Sequence, residues 1–219
     1  MSHTGGHSAT RDGACADAGD PSRRRERILD AAAAMFAEYG YHGASVRDIS
    51  KRVRISHPGM LHHFASKEVL LHAVIDRLEE HAQDALTRVG ELAPDADMLL
   101  ENLAAIWHPA SATMQLLATL STDAVNQEHP GRFRVARLRR VHEYVLGQCF
   151  AQLGDRGRLR AGIDPAFAGR AVLDLVLGHA VREKTVRAMQ HQRYGDSPEE
   201  DLARLARAFL DLRGATPGT

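Results

Sequence analysis

Apolar residues recur along this chain at spacings of three and four, and strict alternation is rare, so helices are expected throughout and no strand is required. A first helix is predicted over Ser22–Tyr39, with Ile28, Ala32, Met35, Phe36 and Tyr39 on one stripe and Gly40 stopping it. Val46, Ile49 and Val53 mark one face of a short helix, and Met60 and Phe64 form an i, i+4 pair in the next. From Ser66 a longer line runs through Leu71, Val74, Leu78, Ala82, Ala85 and Val89, bounded by Gly90 and Pro94. Helices over Asp97–Trp107, Ala110–Val125 and Arg132–Leu153 follow, separated by His108-Pro109 and His129-Pro130-Gly131. Asp164-Pro165 starts a helix to about Met189, and the loop Tyr194-Gly195-Asp196 precedes the last one. That helix opens on Ser197-Pro198-Glu199-Glu200 and carries Leu202, Leu205, Phe209 and Leu212. The fold class is all-α, and no internal repeat is visible.

Composition narrows the function classes. The chain has 219 residues, 44% hydrophobic and 26% charged, as in a folded protein with a substantial core, and no apolar run reaches the ~20 residues that cross a bilayer. No membrane partner is expected. The stretch Met1–Asp20 has the composition of a solvated tail and no apolar segment of a secretory signal, which places the protein in the cytoplasm. Only Cys15 and Cys149 occur, too few for a disulfide framework. Net charge is zero but unevenly spread. Between Pro21 and Lys67 nine Lys and Arg face four Asp and Glu, a local +5 that leaves −5 for the rest. A basic lobe joined to an acidic one suits a protein that touches nucleic acid with one end only. The acidic remainder argues against non-specific DNA compaction.

The basic lobe holds a helix-turn-helix pattern. After Val46–Val53, with Arg47, Lys51 and Arg52 off its apolar face, the chain turns through Arg54 and Ile55. Ser56 can accept from the free amides of the second helix, and Pro58 suits its first turn. With Met60 and Phe64 turned inward, His57, Gly59 and one or both of His62 and His63 face outward, the small hydrogen-bonding surface that enters a major groove. These residues, together with Arg27-Ile28-Leu29-Asp30-Ala31-Ala32, Phe36-Ala37-Glu38-Tyr39-Gly40-Tyr41, Ser45-Val46-Arg47-Asp48-Ile49 and Phe64-Ala65-Ser66-Lys67-Glu68-Val69-Leu70-Leu71, resemble the N-terminal domain of TetR-family transcriptional repressors over about a fifth of the chain. The resemblance implies a three-helix helix-turn-helix domain followed by a C-terminal helical domain for ligand binding and dimerisation. Arg47, His57, Gly59 and His62 or His63 then match base-reading positions, with Ser56 and Pro58 opening the helix that carries them. Lys67 matches a phosphate contact. The partner is a double-stranded operator read as an inverted repeat. Arg can bridge guanine O6 and N7, and His can make one bond to a base edge. Two positions depart from the family: Arg54 replaces a turn glycine, at about 1 kcal/mol if its φ is positive, and Leu61 replaces a tyrosine whose hydroxyl binds phosphate.

The boundaries expected are a tail over 1–21, a DNA-binding domain over 22–67, a ligand-binding and dimerisation domain over 68–213, and a tail over 214–219. The homodimer is expected through the last two helices, on the stripe Leu202, Leu205, Phe209 and Leu212 with Val172, Leu175 and Val186. A small-molecule effector is implied among the middle helices. Candidate walls are Trp107, Met114, Leu117, Leu138, His142, Val145, Cys149 and His179, an apolar set with polar members. The same histidines read equally well as core residues satisfied by backbone carbonyls, and the arginines Arg134, Arg137, Arg139 and Arg140 as a solvated or salt-bridged face rather than a second DNA contact. No catalytic motif, cofactor loop or metal-ligand spacing appears, and adjacent His62 and His63 point about 100° apart on a helix. The rival is an all-α enzyme or small-molecule carrier that contains a helix-turn-helix, which would require ionisable residues converging in the C-terminal lobe.

Overall fold

The computed structural model describes residues 21–189 and 197–211. The expected tails apart from Pro21, which starts the first helix, the loop over 194–196 and Leu212 lie outside the described residues. The described part is helical, with a single isolated β-bridge between Leu159 and Leu210. In order the helices are α1 (Pro21–Gly43), α2 (Val46–Arg52), α3 (His57–His63), α4 (Lys67–Thr87) and α5 (Ala96–Ile106). They continue as α6 (Ala112–Asp123), α7 (Arg132–Asp155), α8 (Pro165–Lys184), α9 (Val186–Met189) and α10 (Pro198–Phe209).

Most helices start where a side chain can satisfy their free amides. Ser45, Ser56, Ser66, Asp95, Ser111, Asp164 and Ser197 each accept from an amide two or three residues on. The cap at Ser111 explains why α6 begins after the predicted Ala110. The helix predicted to about Met189 is interrupted at Thr185, where α8 gives way to the short α9. Gly40 does not end α1 outright. With φ at 71° and ψ at 173° it kinks the chain, and one more turn follows to Gly43. Tyr39, expected on the buried stripe, lies just before that kink and is exposed.

One apolar core runs through both lobes. Ile28, Phe36, Ile49, Met60 and Phe64 close the N-terminal bundle, and Leu70, Leu71 and Ile75 carry the core into α4. In the C-terminal lobe α7 and α8 cross closely because Gly169 meets Gly147: a Cβ on Gly169 would lie 2.5 Å from the Gly147 amide nitrogen. Three of the α7 arginines tie α7 to its neighbours within the C-terminal lobe, while Arg140 is exposed. Arg134 pairs with Asp76 at 2.6 Å and Glu79 at 2.8 Å on α4, Arg137 also reaches Glu79 at 2.8 Å, and Arg139 pairs with Glu143 and Asp174. The arginines hold Glu79 below the usual carboxylate range, the Arg134 hydrogen bond foremost.

Burial divides the expected dimer stripe. Leu202 and Phe209 are buried inside their own chain, where Phe209 packs edge-on against Phe150 and Phe167, and Val172 is fully buried. Leu205 and Leu175 are half-buried and Val186 is exposed. The outward side of α8 shows Phe167, Gly178 and Val181.

Candidate nucleic-acid interface

Two short helices, α2 and α3, position the exposed basic surface. Ser45 accepts from the Asp48 amide at 3.1 Å, and Lys51 pairs with Asp48 at 3.0 Å, which fixes the start of α2 and leaves Arg47 exposed beside it. The Ser45 and Lys51 hydrogen bonds hold the Asp48 carboxyl below its ordinary value. Val53 closes α2, and Arg54 takes the left-handed conformation at φ 58° where the sequence departs from glycine. The next amide, Ile55, returns to the Ser50 carbonyl at 3.0 Å. Ser56 then caps α3 by accepting from Gly59 at 3.1 Å. A Cβ at Gly59 would sit 3.1 Å from that hydroxyl, so glycine keeps the cap uncrowded.

Of the predicted contact residues, Arg47, Ser56, His57, Pro58 and His62 are exposed, and Gly59 and His63 are half-buried. Met60 beneath them is fully buried and Phe64 nearly so, which sets the outward face of α3. Burial lowers the His63 pKa, with His62, Arg24 and Arg25 adding to the effect, so His63 favours its neutral form. Gly59, His63, Ser56, Ile55, Arg54 and Arg24 line a concavity of about 290 Å³ at the start of α3. From the sequence Arg54 reads as a turn residue, and Arg24 as one of the run Arg23–Arg25 that either reaches phosphate or the minor groove or is solvated. Arg25 lies over the Phe64 ring at 5.0 Å. Leu61 is 41% exposed on the same helix, an apolar group where a thymine methyl could be met.

Lys67 stands apart from this surface. Its ammonium lies 4.5 Å from the Tyr41 ring centroid and donates to the His42 carbonyl at 3.4 Å. Burial lowers its pKa, partly countered by Asp123. The charge sits at the start of α4 but is turned toward the end of α1.

The eight residues suggested for an effector all lie in the core of the C-terminal lobe. Trp107, Met114, Leu117, Val145 and Cys149 are fully buried, and Leu138, His142 and His179 nearly so. His142 is satisfied by an indole rather than by a backbone carbonyl: Trp107 Nε1 donates to its Nδ1 at 3.2 Å. Burial pushes the His142 pKa down to about 4, so it is neutral, and burial pushes the Cys149 thiol up to about 12. The His81 ring is 6.2 Å away, and its Nε2 is buried without a hydrogen-bond partner among the described residues. Nothing in the sequence placed His81 there. His179 Nε2 lies 3.4 Å from Asp201 on α10, near enough for attraction but not aligned as a hydrogen bond.

Exposed hydrogen-bonding groups on a capped helix, beside a basic turn, define a helix-turn-helix DNA-binding module. The sequence model of the bacterial regulatory proteins of the tetR family matches residues 28–74, from the middle of α1 into α4. The HTH-type transcriptional regulator UidR of Escherichia coli K12 is 28% identical over 194 residues, covering 89% of this chain and 91% of UidR. Among solved structures, Salmonella enterica GusR aligns with a TM-score of 0.61 at 25% identity, covering 89% of this chain and 98% of that one. AibR, crystallised with isovaleryl coenzyme A and operator DNA, aligns with a TM-score of 0.59 at 22% identity over 83% of this chain and 94% of its own. Residues 28–74 thus match a tetR-type DNA-binding domain, in a chain similar over most of its length to a helix-turn-helix transcriptional regulator. Among the described residues no helix is long and apolar enough to cross a membrane.

Proposed function

We propose that the protein is a repressor that binds an inverted-repeat operator as a homodimer and leaves it when a small molecule binds the C-terminal lobe. The observation that carries the DNA half is the α3 face. His57 and His62 stand exposed there above fully buried Met60, next to exposed Arg47 and within a stretch of net charge +5. Arg47, Ser56, His57, Pro58, Gly59, His62 and His63 form the contact surface in this reading. Arg47, His57 and His62 supply base-edge bonds, and Arg24 and Arg54 supply phosphate charge. Lys67 acts on phosphate only after leaving Tyr41, so its contribution is smaller than its position at a helix start suggests.

Dimerisation uses α8 on its outward side, through Phe167, Gly178 and Val181, because Leu202 and Phe209 of the α10 stripe are already buried. The effector lies among the walls formed by Trp107, Met114, Leu117, Leu138, His142, Val145, Cys149 and His179. AibR, similar in fold, was crystallised with both a small molecule and operator DNA. The Trp107–His142 bond and the unpartnered His81 Nε2 give that apolar seam the few polar groups a small-molecule site uses. A molecule entering there must part packed helices, and it releases DNA to the extent that it favours that parted state. The expected effector is largely apolar with one or two hydrogen-bonding groups.

The test compares binding of Arg47→Ala to operator and random DNA by fluorescence anisotropy. Base readout predicts a loss of about 1–3 kcal/mol on the operator and little on random DNA. Equal losses would make Arg47 a phosphate contact and remove it from the reading surface.

A further inference from the structure

A cavity separate from the Trp107–His142 seam lies between the two lobes, and its floor is the end of α1. In a continuous helix the Ala37 carbonyl would accept from the Tyr41 amide. The kink at Gly40 diverts that amide to Asp123 Oδ2 on α6, at 2.6 Å. A Cβ at position 40 would stand 2.7 Å from the same oxygen, so glycine permits the approach. The freed Ala37 carbonyl accepts from the Thr119 hydroxyl of α6 at 3.0 Å and from the Lys184 ammonium at the end of α8. Three side chains of the C-terminal lobe thus hold the end of a DNA-binding helix.

Lys184 also lines the cavity, which measures about 640 Å³, within the range of sites for small organic molecules. The walls are Ala33, Ala34 and Ala37 of α1, Val74 and Leu78 of α4 and Leu116 of α6. Alanines on the α1 side leave unfilled the space that larger side chains would take. The charged groups at the margin are unequally satisfied. Arg77 is held by Asp30 at 2.8 Å and by Glu26 at 3.1 Å, and Glu38 accepts from Tyr39. Lys184 alone of these cations makes no ion pair among the described residues, and its sole acceptor is a neutral carbonyl. Its pKa is lowered because it is desolvated, with Glu38 partly restoring it.

We propose that this cavity binds a small monocarboxylate with an apolar body, its carboxylate paired with Lys184 and its body lying along the alanines of α1 and Val74, Leu78 and Leu116. A carboxylate is a stronger acceptor for an ammonium than an amide carbonyl. Binding therefore draws Lys184 off Ala37, leaves Thr119 as the carbonyl's only side-chain donor, and wedges α1 from α6. The tilt of the DNA-binding domain then depends on the occupant. That last step rests on the reading of the protein as a DNA-binding regulator, whereas the binding itself does not.

The experiment is isothermal titration calorimetry on the full chain without DNA, using 4-phenylbutyrate and octanoate as probes of an aromatic and an aliphatic body. The amide and the amine corresponding to 4-phenylbutyrate serve as controls. The expected result is binding of at least one acid, with the amide and amine about ten-fold weaker, as for loss of one charge-assisted hydrogen bond. Lys184→Met weakens the acid by about the same factor and abolishes its advantage over the amide. Ala34→Leu fills the cavity while keeping Lys184 and abolishes binding of every probe. Absence of heat with both acids overturns the proposal. Equal binding of acid and amide, tighter binding of the amine, or an acid unaffected by Ala34→Leu overturns it too. Operator binding measured with the bound acid then tests the coupling on its own: unchanged affinity contradicts release of α1 even where the calorimetry succeeds.

Discussion

Histidines at helical spacing occur in both lobes, and the two lobes use them in opposite ways. On α3, His57 and His62 lie off the Met60–Phe64 line and are exposed, so their ring nitrogens are open to an external partner. On α7, His142 falls within the line of Leu138, Val145 and Cys149 and is 1% exposed, so its ring must be satisfied internally and stay neutral. The same side chain is exposed in one lobe, where it is proposed as a contact group, and is a packing and hydrogen-bonding group in the other. Its position relative to the apolar stripe decides which, because burial penalises the charged imidazole and water does not compete for its bonds. Substitution should therefore cost stability in the C-terminal lobe and DNA affinity in the N-terminal one.

The largest effect is expected for His142→Ala. It leaves the Trp107 N–H buried without an acceptor and opens a void, at about 3 to 4 kcal/mol of unfolding free energy by denaturant titration. A loss under about 1 kcal/mol would mean that the seam is not packed as described.

Acid acts on the same group. The folded pKa is about 4 against the ordinary histidine value of 6.5. The unfolded state therefore binds the proton first, and stability rises with pH across that window. The contribution of His142 is complete above about pH 6.5 and is lost as pH falls toward about 4. The shift corresponds to about 3 kcal/mol. Comparing wild type with His142→Gln over this window isolates it, since glutamine does not titrate. Parallel curves would remove His142 as the source.

His57→Ala reverses the pattern. Thermal stability should change by less than about 0.5 kcal/mol, and operator binding should weaken by about 1 to 2 kcal/mol with little change on random DNA. A stability loss without a DNA effect would move His57 to the structural class.

The smallest expected change is in the turn. Arg54→Gly relieves the left-handed conformation at φ 58° and should stabilise the fold by about 0.5 to 1 kcal/mol, because the steric relief exceeds the added chain entropy. A lower melting temperature would show that Arg54 contributes contacts that offset its strain.

Local signals were legible in the sequence and long-range ones were not. Ser56 and Pro58 announce the start of α3, and Met60 and Phe64 its inward face, because capping and i, i+4 spacing depend on neighbours in the chain. The positive φ at Arg54 was likewise readable from a basic residue in a turn that the family fills with glycine. The stripe on α10 was equally clear. Periodicity reports that a face is buried but not whether the chain itself or a second copy buries it, and α8 and α5 take Leu202 and Phe209. Lys67 was matched to a phosphate contact, and its ammonium lies over the ring of Tyr41, distant in sequence. The tie between Ala37, Thr119 and Lys184 spans up to 147 residues and follows from the kink at Gly40. Gly40 was seen as a stop, and nothing in its neighbourhood names Asp123 as its partner.

The central claim is that exposed α3 residues of two symmetry-related copies read DNA, and binding-site selection from random duplexes with the purified full chain tests it most directly. The account predicts enrichment of an inverted repeat whose half-sites lie about 10 base pairs or more apart, centre to centre. It also predicts that a Val181→Asp variant, with the outward face of α8 charged, loses that enrichment. Recovery of a single unsymmetrical site, or of no sequence at all from protein that still binds DNA, would contradict it.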